Sequence, residues 1–405
     1  MKGLKMTHSG KRNRISISIF AVVLATALLT ACGKKGQAEY ELGQAAYIAQ
    51  DYKTAVTQFA LAANKGHAEA QFMVGNCYAE GNGVERDFVE AVKWYKKAVE
   101  QGHSTAMVNL GKCFFKGDGV EENKEEAVKL VRKALDKGDS AAMNFLGYCY
   151  MSGESVEQNK NEAAKLFLMA ADKGNSLAMV NLGNCYMNGD GVKQDKAEGI
   201  KWYRNAVDQG DSNAMLHLGN CYMDGDGVKQ DKAEGIKWYR KAADQGNSDA
   251  MVELGNNYIK GVGLEKDETE GIKWYRKAAD KDNPLAMRNL GVCYDKGYGV
   301  AGDLSEAAKW YRKAADQGDV EAMLCLGNCY MNGYGVTKDL AEAVKWFRKA
   351  ADQGHADAQY RLGCCYLFGD GVTKDLSEAV KWFRKAADQG NEAAKEKLNK
   401  LENNI

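Results

Sequence analysis

From residue 67 onward, apolar and polar positions recur in a fixed order with a period of 36 residues. Between Ser176 and Asn188, the residues Ala178, Met179, Leu182, Gly183, Cys185 and Tyr186 fall at helical spacing, which predicts an amphipathic helix. Ser176, just before them, suits its N-cap. Gly189-Asp190-Gly191-Val192 then predicts a turn, because glycine accepts the positive φ that such turns require. A second helix opens on Asp195 and Glu198, the spacing of a capping box. It carries Ile200, Trp202, Tyr203 and Ala206 before Gly210 stops it.

The same unit returns along the chain. Gly75, Gly111, Gly147, Gly183, Gly219, Gly255, Gly291, Gly327 and Gly363 are spaced by 36 residues. A second glycine column, Gly66 to Gly390, is broken only by Asp282, and the paired-glycine turns lose their second glycine only at Ser155. Residues 67–390 thus read as nine 36-residue units, residues 37–66 as a shorter first unit, and residues 391–405 as a polar helix capping the last. A lone helical hairpin cannot bury its apolar face, so neighbours must stack. The fold expected is all-α, an α/α solenoid of about ten hairpins.

The units resemble Sel-like repeats, relatives of the tetratricopeptide repeats. The resemblance rests on A-x-x-x-L-G-x-x-Y in the first helix (Ala178 to Tyr186), the G-x-G-V turn, and A-x-x-W-x-x-x-A-A in the second helix. It implies a right-handed superhelix whose first helices line a concave face, and a role in holding protein partners. It also implies which side chains face that groove. One polar column is Asn76, Asn184, Asn220, Asn256 and Asn328; another, three residues before, includes Asn109, Asn181, His217, Asn289 and Arg361. An asparagine can both donate to and accept from a peptide backbone, so these ten residues are the candidate partner contacts.

The N-terminus is of a different kind. Lys2, Lys5, Lys11, Arg12 and Arg14 precede an uncharged run from Ile15 to Thr30, with the length of a signal-peptide core. Leu29-Thr30-Ala31-Cys32 resembles the lipobox of bacterial lipoproteins. The resemblance makes residues 1–31 a signal peptide, Cys32 the lipidated residue and residues 32–36 a tether in the cell envelope. Gly33 after the cysteine favours the outer over the inner membrane.

Loss of residues 1–31 would leave 50 basic against 55 acidic side chains, which lacks the basic excess of a nucleic-acid binder. Eleven cysteines in 405 residues are too few for a disulfide scaffold. Eight of them form a column from Cys77 to Cys365 that stacking would hold too far apart to pair. Cysteine-rich members of the Sel-like family bridge each repeat through a second cysteine, where this chain has alanine. Off the column, Cys325 and Cys364 in successive units are the one candidate disulfide. The Met column (Met107 to Met323) and the seven tryptophans read as core, and His67, His103 and His355 as solvated turn residues.

No Ser-x-x-Lys pair, P-loop, HExxH or GxSxG string is present. The expectation is a non-catalytic scaffold with no cofactor, metal or small-molecule substrate, bound to protein or peptide partners and, through its lipid, to membrane. Two alternatives are a β-lactamase or penicillin-binding-like hydrolase, an activity attributed to cysteine-rich family members, and a module that holds peptidoglycan or another glycan.

Overall fold

The computed structural model describes residues 35–402, and among them the backbone forms 21 α-helices and no strand. Helices Gln37–Ile48 and Tyr52–Asn64 make the short first hairpin. Nine longer hairpins follow, from Ala68–Glu80 with Phe88–Glu100 to Ala356–Phe368 with Leu376–Asp388, and the helix Glu392–Glu402 closes the series. The chain divides into two compact units at Asn205/Ala206. Within each, every helix packs on the next, the local arrangement of an α-solenoid.

In the first unit the core passes through Phe59, Val74, Trp94, Tyr95, Leu110 and Leu130. In the second it is one cluster running from Met215 to Trp382. The methionine column is buried, with Met251 6% and Met323 5% exposed. Six of the seven tryptophan indoles lie at the margin of the core beneath a lysine one turn later, as Lys241 Nζ lies 3.8 Å from the Trp238 ring and Lys385 Nζ 4.1 Å from that of Trp382; after Trp202 that position is Asn205. The ring is thus covered by both packing and charge.

Helix starts differ from expectation in two ways. The N-cap of the helix Ser176–Asn188 is Asn175, whose Oδ1 accepts from the Ala178 N–H at 3.0 Å; Ser176 is already helical. Where this position is histidine, the ring does the same work. His67, His103 and His355 accept from the third N–H of their helices through Nδ1, while Nε2 meets Gln37, Glu69 and Glu321. They are capping groups held at both nitrogens.

At the second helix only half of the capping box forms. Asp195 Oδ1 accepts from the Glu198 N–H at 3.0 Å, but Glu198 turns away to Lys201 at 2.7 Å. The reason is that the Asp195 N–H already donates to the Tyr186 carbonyl of the first helix at 2.9 Å. That bond recurs from Asp87 to Asp375 and ties the two helices of each hairpin together.

Where the glycine pattern fails, the backbone keeps glycine's conformation. Ser155 has φ 69° and Asp282 has φ 58°. Left-handed backbone costs an ordinary residue about 1–2 kcal/mol, and Asp less because its short side chain bonds locally. Ser155→Gly should therefore stabilise the chain by about 1 kcal/mol, and Asp282→Gly by less. Urea midpoints check both, and an unchanged or lower midpoint for Ser155→Gly would contradict the strain argument.

All ten described cysteines are free thiols. The expected Cys325–Cys364 bridge is not formed. Cys325 has Arg288 and Asp295 of the preceding hairpin among its neighbours, whereas Cys364 bonds Tyr360 and has Lys397 of the terminal helix nearby. The two thiols therefore belong to different interfaces. The column itself is core: burial pushes Cys185 and Cys293 up to about 11 from the ordinary 9.0. The fold prefers the protonated thiol, so that contribution is complete below pH 9 and disappears as pH rises towards about 11. Thermal melts between pH 8 and 11 should fall steeply, and Cys185→Ala and Cys293→Ala should each reduce that fall.

Candidate partner-binding face

The asparagine column does not stand open as a row of free amides. Its Oδ1 atoms accept from tyrosine hydroxyls of the second helices: Tyr95 to Asn76 at 2.8 Å, Tyr203 to Asn184 at 2.6 Å, Tyr239 to Asn220 and Tyr275 to Asn256 both at 2.7 Å. The tyrosines are buried, with Tyr239 3% and Tyr275 4% exposed. A hydroxyl there needs an acceptor. Four of the ten expected contacts are therefore the inner half of a hairpin clamp.

The second polar column ties one repeat to the next. Asn109 Nδ2 donates to Asn76 Oδ1 at 3.0 Å, Asn181 Nδ2 to Asn144 Oδ1 at 2.8 Å, and Asn289 Nδ2 to Asn256 Oδ1 at 3.5 Å. His217, in the same column, is half-buried, and that burial holds its imidazole below the usual histidine range. The amides of these three asparagines thus serve the stack.

Asn328 and Arg361 are different. The pairing scheme breaks in two successive hairpins of the second unit. Tyr311 faces Val292 where its counterparts face asparagine, and Asn328 faces Phe347 where its counterparts face tyrosine. Cys325 then replaces the amide that would cross to the preceding repeat. Around this break lies a recess of about 330 Å³, lined by Tyr311, Cys325, Asn328, Tyr334 and Arg361, with Asp295 and Lys296. Burial pushes Cys325 up to about 12, so it enters the recess as a neutral thiol.

Exposed apolar side chains gather on the same stretch. Tyr334 is 52% and Phe368 61% exposed, with Leu304 at 42% on the recess wall. The sequence contained the signal: the Asn–Tyr pairs at 76/95, 184/203, 220/239 and 256/275 share one spacing, and 292/311 and 328/347 break it. Cys32 lies outside the described residues. Among the described residues, no group of three His, Cys, Asp or Glu could hold a metal ion, and no helix is long and apolar enough to cross a membrane.

The Sel1 repeat model matches nine consecutive segments, residues 68–103, 104–139, 140–175, 176–211, 212–247, 248–283, 284–319, 320–355 and 356–391. Among solved structures, the chain is similar to a protective antigen of uropathogenic Escherichia coli strains with an SLR fold. The identity is 32%, covering 94% of this chain and 91% of that one, with a TM-score of 0.54. It is also similar to a Sel1 repeat protein from Oxalobacter formigenes, at 31% identity over 76% of this chain and 90% of that one, with a TM-score of 0.57. No curated protein matches.

Proposed function

This chain belongs to the Sel1 repeat family, and from that premise we propose that it is a non-catalytic scaffold of a bacterial cell envelope. It is lipid-anchored at Cys32 and holds a protein or peptide partner on the face of its first helices. Repeats of this class generally mediate contact between proteins. The observation that carries the reading here is the recess of residues 295–361. There an exposed tyrosine, an arginine and an asparagine converge where every paired repeat closes its polar groups on itself. Tyrosine and arginine are the side chains that most often anchor protein interfaces.

The anchoring half rests on the sequence alone: the basic segment, the apolar run and Leu29-Thr30-Ala31-Cys32. Residues 1–31 are the signal peptide and residues 32–36 the tether, with Gly33 directing the protein to the outer membrane.

The test replaces Tyr334 by a photo-crosslinking phenylalanine analogue in the native cell. A matching replacement of Lys237, whose side chain is 67% exposed on a second helix, is the control. A protein adduct at position 334 and none at 237 is expected. Adducts at neither position, or the same adducts at both, would overturn the reading.

A further inference from the structure

We propose that the recess at Tyr311, Asn328 and Arg361 is a subsite for a carboxylate of an extended peptide, either an acidic side chain or a free chain terminus. This rests on the peptide-binding reading above and gives it a chemistry. Three groups define the subsite, and each is unspent. Tyr311 is only 4% exposed and lines the recess, yet its hydroxyl has no hydrogen-bond partner among the described residues. The ring is buried but the residue borders the recess, and the equivalent hydroxyls in four other repeats all donate to asparagine. Asn328, half-buried, engages its side-chain amide with no partner among the described residues, because Phe347 supplies no hydroxyl. Arg361 is exposed and has no carboxylate within ion-pair distance among the described residues.

The charge balance selects the ligand. Asp295 is the one carboxylate on the wall, and Lys296 Nζ lies 3.0 Å from it. Arg361 is then the unmatched charge, and its planar fork suits a carboxylate bidentately. Beside it, Asn328 offers the donor and the acceptor that one peptide group requires, and the Tyr311 hydroxyl can donate from the floor. Cys325 and Cys329 are neutral, burial having raised both thiols. At about 330 Å³ the recess is at the small end of ligand pockets. It admits an acidic residue and the peptide group next to it rather than a folded domain. Exposed Tyr334 on the rim supplies a flat apolar contact for the flanking chain.

Random heptapeptides, one set with free and one with amidated carboxyl termini, should be panned against the full chain and affinities measured for the peptides retained. The expected result is retention of peptides rich in Asp or Glu in the amidated set, or retention confined to the free-terminus set. Either outcome supports the subsite and identifies the source of the carboxylate. Arg361→Gln and Asn328→Leu should each weaken the retained peptides about tenfold, the order of effect of losing one well-formed hydrogen bond.

A second variant separates binding from folding. Val292→Asn with Phe347→Tyr restores both missing Asn–Tyr pairs and consumes Tyr311 and Asn328 internally. It should melt no lower than the parent and still lose about tenfold in affinity. Retained peptides without acid preference, or with affinities unchanged in these variants, would overturn the subsite while leaving peptide binding intact. Retention of no peptide would overturn both.

Discussion

Gly255→Val should destabilise the second unit by about 3 kcal/mol, the upper end of the usual cost of overpacking a core. Gly255 sits inside the helix Ser248–Lys260, where valine in place of glycine would otherwise gain a few tenths of a kcal/mol in helix propensity. Sterics decide the sign. A Cβ at this position would lie 2.4 Å from Tyr275 Cε1, 2.5 Å from Cδ1 and 3.1 Å from the Gly271 carbonyl oxygen. The ring cannot swing aside without cost, because Tyr275 is buried and its hydroxyl is held by Asn256 at 2.7 Å. Valine adds two methyl groups to a gap already too small for one. The damage would spread to the neighbours, since each repeat is stabilised largely by its interfaces.

Gly302→Ala is the control, because a Cβ there meets nothing nearer than 3.6 Å and the backbone is not left-handed. It should stay within about 0.5 kcal/mol of the parent. Urea denaturation followed by circular dichroism compares the two, and a Gly255→Val midpoint equal to that of the parent would sink the close-packing account of the glycine column.

That column was readable from the sequence because it is periodic, and periodicity survives without coordinates. Gly75 through Gly363 marked the middle of each first helix, and the paired-glycine turns marked its end. Contacts set by tertiary geometry were less legible. Ser176 looked like a cap because it precedes the apolar stripe, yet the backbone turns one residue earlier at Asn175. The capping-box glutamates looked fully occupied at the helix start, but the bond from the Asp195 N–H to Tyr186 leaves Glu198 free for Lys201. Asn184, Asn220 and Asn256 looked like open groove amides, because nothing local shows that a tyrosine 19 residues later turns its hydroxyl onto each.

The useful signal was a pair of columns rather than a single one. Asparagine accompanies tyrosine in four repeats, while Lys112 accompanies Val131 and Tyr148 accompanies Phe167. Against that rule, Val292 with Tyr311 and Asn328 with Phe347 are exceptions, and they are adjacent. Departures from a repeat mark sites here better than its regularities do, since the regular polar groups are committed to one another.

The envelope half of the proposal makes an all-or-none prediction. Cys32→Ser should move the protein from the membrane to the soluble fraction and abolish labelling by a radioactive or clickable fatty acid. A diacylglyceryl group holds a protein by burial of its chains at about 0.8 kcal/mol per methylene, and two chains suffice for stable anchoring where one is marginal. Serine has no thiol to accept that group, and the mature sequence has no basic excess to attract an anionic surface, with 50 basic against 55 acidic side chains. One complication has a clean readout. If serine also blocks removal of residues 1–31, the uncleaved apolar run from Ile15 to Thr30 could itself retain the chain at the membrane. The N-terminus should therefore be sequenced and the fractions assayed in alkaline carbonate. Cleaved, unlabelled protein that stays with the membrane would sink the lipid anchor, and fatty-acid labelling of the serine variant would move the anchor to another residue.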